Sequence, residues 1–168
     1  MRVEYIPVGQ IVNAHGIKGE VKLNPIGFDP EFLAEFDVMY IGGKEMKIKH
    51  SRVHKSVLLL TLPGVTDMDA ALALKGKEVT IRREDVELPE GYFFDVEIEG
   101  MRVIDCATEE EIGKVKRVLT YPAHKIYEVV GEKEYLIPAV PDVFIESVDM
   151  DSQTVRVHMM KGLATNEN

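Results

Sequence analysis

Between Val8 and Lys22 the chain reads VGQIVNAHGIKGEVK, two alternating apolar runs joined by His15-Gly16-Ile17-Lys18-Gly19. Val8, Ile11 and Val12 precede the joint and Val21 and Leu23 follow it, a pattern that favours strands on both sides. The chain must reverse within a few residues. Glycines at 16 and 19 supply backbone angles that a side chain would oppose, so the segment predicts a β-hairpin. Its tip presents His15, Lys18 and Glu20 to solvent. Most glycine-rich turns only reverse the chain, so a contact role for these residues needs support from elsewhere.

Punctuation organises the rest. Asp37 to Ile41 and Glu45 to His54 flank Gly42-Gly43, a hairpin signal. Val57 to Leu62 is a continuous apolar run closed by Pro63-Gly64, which reads as a buried strand. Thr66 is placed to cap a helix with Asp67 and Asp69 in its first turn, running through Leu74 and stopped by Gly76. Val79 and Ile81 return to a strand. In Arg83 to Gly91, charge, proline and glycine replace periodicity, which marks a domain boundary. The expected division is a domain over 1–85, a linker over 86–90, a second domain over 91–164 and a flexible tail over 165–168. In the second domain Met101 to Ile104, Lys114 to Leu119, Ile126 to Val130, Tyr135 to Ile137 and Val155 to His158 are short strands separated by turns, the spacing of a small sandwich or barrel.

The net charge of −9 argues against a nucleic-acid partner until its distribution is considered. Residues 1–85 hold 12 Lys+Arg against 12 Asp+Glu, whereas 86–168 hold 8 against 17, so the whole excess lies in the second half. Within the neutral half Lys44, Lys47, Lys49, Arg52 and Lys55 crowd one segment beside His50 and His54. They are candidates for an RNA footprint, and equally for a solvated edge whose lysines discourage strand pairing. As one strand from Glu45 to Lys55, the segment would put Lys47, Lys49 and Lys55 on one face and Lys44 and Arg52 on the other.

Catalytic chemistry has little support. The histidines at 15, 50, 54, 124 and 158 show no spacing with cysteines or carboxylates that implies zinc, and no Walker loop, dinucleotide fingerprint or nucleophile elbow occurs. No cofactor and no metal is expected. Cys106 is alone, so an internal disulfide is impossible, and it reads as a small apolar residue in a reducing cytoplasm. No apolar run is long enough to span a bilayer and the N-terminus does not read as a secretion signal, so the expected location is cytoplasmic.

The stretch from Val8 to Lys22 resembles the N-terminal signature of the RimM family of ribosome maturation factors. Two further segments are similar to that family in the same order: PGVTDMDAALALKGKEVTI from Pro63, and YLIPAVPDVFIESVDMDSQTVRVHMMKGL from Tyr135. The resemblance implies a mainly β protein of two small β-barrel domains, a translation-factor-like N-terminal barrel and a C-terminal PRC-barrel, with one or two short helices. It implies a non-enzymatic factor for assembly of the small-subunit head and for 16S rRNA processing. The implied partners are the nineteenth small-subunit ribosomal protein, small-subunit rRNA and the immature subunit, with no membrane and no small-molecule substrate.

Relatives carry a tyrosine pair, near the start of the second domain, that binds the ribosomal protein. Counting back from Gly100 sets the equivalents at Phe93 and Phe94, and a shift of one residue sets them at Tyr92 and Phe93. These three rings are the expected protein-binding residues, although at least one of them is expected in the core. His15, Gly16, Lys18, Gly19, Lys47, Lys49, Arg52 and Lys55 are the expected RNA or ribosome contacts. The turn Tyr121-Pro122-Ala123-His124-Lys125 departs from the family's Gly-Ala-Asn-Asp, so no contact is carried onto it. Two other classes compete: an interaction module for some other basic partner, and an RNA-processing enzyme. Cleavage or modification of pure RNA would distinguish the latter.

Overall fold

The computed structural model describes residues 3–89 and 91–165; Glu90 of the expected linker and 166–168 of the expected tail lie outside them. The chain divides into two compact units, Glu4–Glu87 and one that begins at Leu88. Each is built on one sheet.

In the first unit, β1 (Tyr5–His15) and β2 (Glu20–Pro25) form the expected hairpin, with His15 opposite Glu20 and a bulge between Ile11 and Asn13. There follow α1 (Pro30–Leu33), β3 (Val38–Ile41), β4 (Lys44–Lys47), β5 (His50–His54), β6 (Val57–Thr61), α2 (Met68–Leu72) and β7 (Glu78–Arg82). The strand order is β4-β3-β7-β1-β2-β6-β5. Laid flat, seven strands at about 4.8 Å spacing would set the edges roughly 29 Å apart. The edges here are β4 and β5, joined by Ile48 and Lys49 alone, a reach of about 11 Å. The sheet must therefore curl. At the corner the Ile48 amide donates to the Asp37 carbonyl at 2.8 Å and the Lys49 amide to the Thr61 carbonyl at 2.9 Å, so consecutive residues bond to opposite ends of the strand order.

This corner corrects the expectation of one strand from Glu45 to Lys55. Lys44 and Lys47 lie on one edge strand and Arg52 on the other, and Lys55 occupies a left-handed turn at φ 58°. The core is filled by Ile6, Ile11, Leu23, Leu33, Leu58 and Leu60, each about 1% exposed or less. Burying a leucine contributes about 1.5–3 kcal/mol. The α2 helix also differs from expectation. Asp67 rather than Thr66 caps it, accepting from the Ala70 amide at 2.8 Å. It stops at Leu72, because the chain that follows is drawn back to β1: the Gly76 amide donates to the Ile11 carbonyl at 2.7 Å. After β7, a 3-10 turn at Arg83–Asp85 leads to Val86, which is buried.

The second unit contains α3 (Asp95–Ile98), β8 (Arg102–Asp105), β9 (Glu111–Thr120), β10 (Lys125–Val130), β11 (Glu134–Pro138), β12 (Ile145–Asp149) and β13 (Thr154–Val157). The order is β11-β10-β9-β8-β13-β12, with β13 parallel to β8 and the other pairs antiparallel. Met101, Val103, Val129, Ile137, Val155 and Val157 form its fully buried centre. Here the edges β11 and β12 are joined by residues 139–144, which reach about 25 Å and could cross a flat sheet of six strands. Connectivity thus forces curling in the first sheet alone. The chain is mainly β, with short helices. The sequence pattern did not reveal β12, because the bulge between Ile145 and Ser147 breaks the two-residue alternation.

Candidate functional site

The hairpin tip is held from below. Gly16 and Gly19 have φ of 71° and 92°. A Cβ on Gly19 would lie 2.4 Å from the Val65 carbonyl oxygen, whereas one on Gly16 would meet nothing within 4 Å. The tip is therefore fixed against the loop that leads into α2, and between its glycines Ile17 is 76% exposed. Lys18 is also exposed there.

On β5, His50, Arg52 and His54 share one face through the two-residue period of a strand. The His54 ring lies 5.4 Å from the His15 ring, centroid to centroid. Arg52 donates to both carboxylate oxygens of Glu20, Nε to Oε2 at 3.1 Å and Nη2 to Oε1 at 3.0 Å. The structure thus gathers His15, Glu20, His50, Arg52 and His54 beside the tip. Lys47 lies on the opposite edge strand, Lys49 at the corner and Lys55 in the turn after β5. Among the described residues no ion pair engages Lys18, Lys47, Lys49 or Lys55. The shared parity of His50, Arg52 and His54 was available in the sequence. Their meeting with His15 was not, because it needs the hairpin and β5 in one curled sheet.

The Arg52 guanidinium holds the Glu20 carboxyl below the usual carboxylate range, helped by His15 and His50 and opposed by burial. A carboxyl lowered in the folded state stabilises above its unfolded value near 4.5, and that contribution disappears as pH falls through the lowered value. Glu20→Gln is therefore expected to lower stability by up to about 1 kcal/mol at neutral pH and to have no such cost in strong acid. Urea midpoints at the two pH values check this; an equal loss at both would assign the effect to packing.

The three rings at the start of the second unit are treated differently by the fold. Tyr92 is 67% exposed, Phe93 packs partly against the core and Phe94 is 7% exposed. Phe94 is the N-cap of α3, and its amide donates to Oε1 of the buried Glu97 at 3.0 Å. Asp95, next in the chain, is paired with Lys125 at 2.5 Å. Elsewhere in this unit a cleft of ≈380 Å³ is lined by Glu110, Glu111, Glu132, Lys133 and Tyr135. The Cys106 thiol is pushed up to about 11, by burial first and then by its hydrogen bond to Glu146. That is the opposite of what a nucleophilic thiol requires. Among the described residues no helix is long and apolar enough to cross a membrane.

Residues 6–86 match the RimM N-terminal domain and residues 95–163 match the RimM PRC barrel domain. The ribosome maturation factor RimM of Clostridium botulinum is 34% identical over 155 residues, covering 92% of this chain and 93% of the relative. That of Lactobacillus delbrueckii subsp. bulgaricus is 36% identical over 167 residues, covering 96% and 99%. A crystal structure of a RimM protein from Pseudomonas aeruginosa is 26% identical with a TM-score of 0.46, covering 94% of this chain and 98% of that one. Two domain matches in the expected order, and relatives aligned along nearly the full length, establish that this chain belongs to the RimM family of ribosome maturation factors, non-enzymatic proteins of small-subunit assembly.

Proposed function

We propose that this protein assists assembly of the small-subunit head and processing of 16S rRNA in the cytoplasm by holding two ligands at once. The second unit binds the nineteenth small-subunit ribosomal protein, and the first touches nearby rRNA. The observation that carries this reading is the division of charge along one chain, with the acidic excess confined to residues 86–168. Ribosomal proteins are basic, and an acidic surface raises the rate of encounter while rejecting acidic competitors. The Glu110, Glu111 and Glu132 cleft offers carboxylates to such a partner, and exposed Tyr92 with half-buried Phe93 offers an aromatic anchor. On the first unit, Lys18 at the tip, Lys47, Lys49 and Lys55 carry cations with no internal acidic partner among the described residues. Arg52 contributes less free charge, since Glu20 already pairs with it. Two weak contacts on one chain reinforce each other, because the second forms at high effective concentration.

The factor then biases the unfinished head toward its mature arrangement and leaves once mature contacts claim the same surfaces. Equal affinity for immature and mature subunits would overturn that account. The binding reading itself is tested by titrating the full chain with the purified head protein at two salt concentrations. Salt-sensitive binding is expected, with Lys18→Glu and Lys49→Glu leaving it unchanged while weakening binding to the immature subunit several-fold. Loss of protein binding in those lysine variants would reverse the assignment of the two units.

A further inference from the structure

Three adjacent strands of the second sheet bring together side chains remote in sequence. β8 and β13 run parallel with Asp105 beside Val157, so the next residues, Cys106 and His158, continue that register side by side. Main-chain bonds fix both positions: the Cys106 amide donates to the Val157 carbonyl at 3.0 Å and the His158 amide to the Phe144 carbonyl at 2.8 Å. On β12 the bulge makes Glu146 the extra residue, and its Oε2 accepts from the Cys106 thiol at 3.0 Å. One potential ligand atom from each of Cys106, Glu146 and His158 lies within 4.8 Å of the other two.

We propose that Cys106, Glu146 and His158 form a binding site for a divalent transition metal, with zinc the best chemical match. A sulfur, a ring nitrogen and a carboxylate oxygen suit zinc and exclude the oxygen-seeking magnesium and calcium. Three protein ligands leave a fourth tetrahedral position for water. Around zinc the three atoms would stand roughly 3.3–3.6 Å apart, given metal–ligand bonds of about 2.0–2.3 Å. Atoms that already lie within 4.8 Å of one another would need side-chain shifts of about an ångström to take up that spacing.

The surrounding charge also fits a dication. Arg156 donates Nε to Glu146 Oε2 at 3.0 Å, and its terminal nitrogens donate to the two Glu109 oxygens at 2.8 and 2.5 Å. Two carboxylates and a thiolate against one guanidinium leave a net double negative charge. On binding, the Cys106 S–H bond breaks, the proton passes to solvent and the sulfur electron pair forms the metal–sulfur bond, with no change of oxidation state. The metal itself stabilises the thiolate. Glu146 loses the thiol hydrogen bond and turns a carboxylate oxygen to the ion.

The test is a titration of the reduced, full-length chain with cobalt(II) in the absence of oxygen. The expected result is binding of one ion with a near-ultraviolet thiolate-to-cobalt absorption, abolished by equimolar zinc. Cys106→Ser should remove the absorption, and His158→Gln and Glu146→Gln should weaken binding at least tenfold, all three retaining wild-type circular dichroism. A second measurement needs no variant: zinc should protect Cys106 of the unaltered chain from alkylation. Cobalt binding without the thiolate absorption, unchanged affinity in the two glutamine variants, or alkylation unaffected by zinc would each overturn the proposal. The first result would move the ion to histidines elsewhere, such as His15 and His54, because Cys106 is the chain's single thiol.

Discussion

Replacing Gly19 with alanine is expected to destabilise the first unit by about 2–4 kcal/mol, while the same change at Gly16 costs only about 1 kcal/mol. Both positions have positive φ, so both substitutions carry the conformational penalty of an L side chain in the left-handed region. Only Gly19 adds a collision: its Cβ would stand 2.4 Å from the Val65 carbonyl oxygen and 2.9 Å from the Asp67 nitrogen. These are backbone atoms, which cannot rotate aside. Relief would require lifting the hairpin off the loop whose Asp67 caps α2. Urea unfolding of the two variants checks the difference. Similar losses in both would show that the loop yields and that the tip is not held where the structure places it. Gly19 thus supports the tip, and any ribosome contact of its own would be through main chain.

The aromatic triplet gives the second large effect. Phe94→Ala is expected to cost about 3 kcal/mol or more, because a nearly buried ring is removed from the start of α3 and leaves a cavity. Tyr92→Ala should change stability by no more than about 0.5 kcal/mol, since its ring is 67% exposed. Its effect is expected in binding, at least tenfold weaker for the head ribosomal protein. Denaturant midpoints and a binding titration on the two variants separate the roles. If Tyr92→Ala bound normally while a still-folded Phe94→Ala did not, the anchor would belong to the inner ring and the proposed contact would be withdrawn. Of the three rings Tyr92 and Phe93 retain the most surface, which is why the proposed contact is placed on them rather than on Phe94.

Much of the architecture was legible in residues near one another. The apolar alternation around Gly16 and Gly19, the Leu58-Leu59-Leu60 run and the turn at Gly42-Gly43 each encode a local preference that the fold keeps, since strand period and turn angles depend on a few neighbouring residues. The same reasoning failed where a distant partner outweighed local preference. Residues 45–55 look like one strand, but closing the first sheet turns Ile48 and Lys49 into a corner and sends the lysines to different places. The start of α2 differed for a local reason instead: Thr66 has good capping chemistry, yet it is Asp67 that accepts from the Ala70 amide three residues on.

The sequence by itself determined the mainly β class, the uneven charge and the hairpin, all of which reside in short-range pattern or in composition, while the family followed from resemblance to relatives along nearly the whole chain. Tertiary structure alone decided which ring of the triplet is buried, that Arg52 is matched by Glu20, and that His15 meets His54. It also decided that Cys106, Glu146 and His158 converge, because parallel pairing of β8 with β13 and a bulge in β12 place them side by side at separations of 40 and 12 residues that no local motif describes.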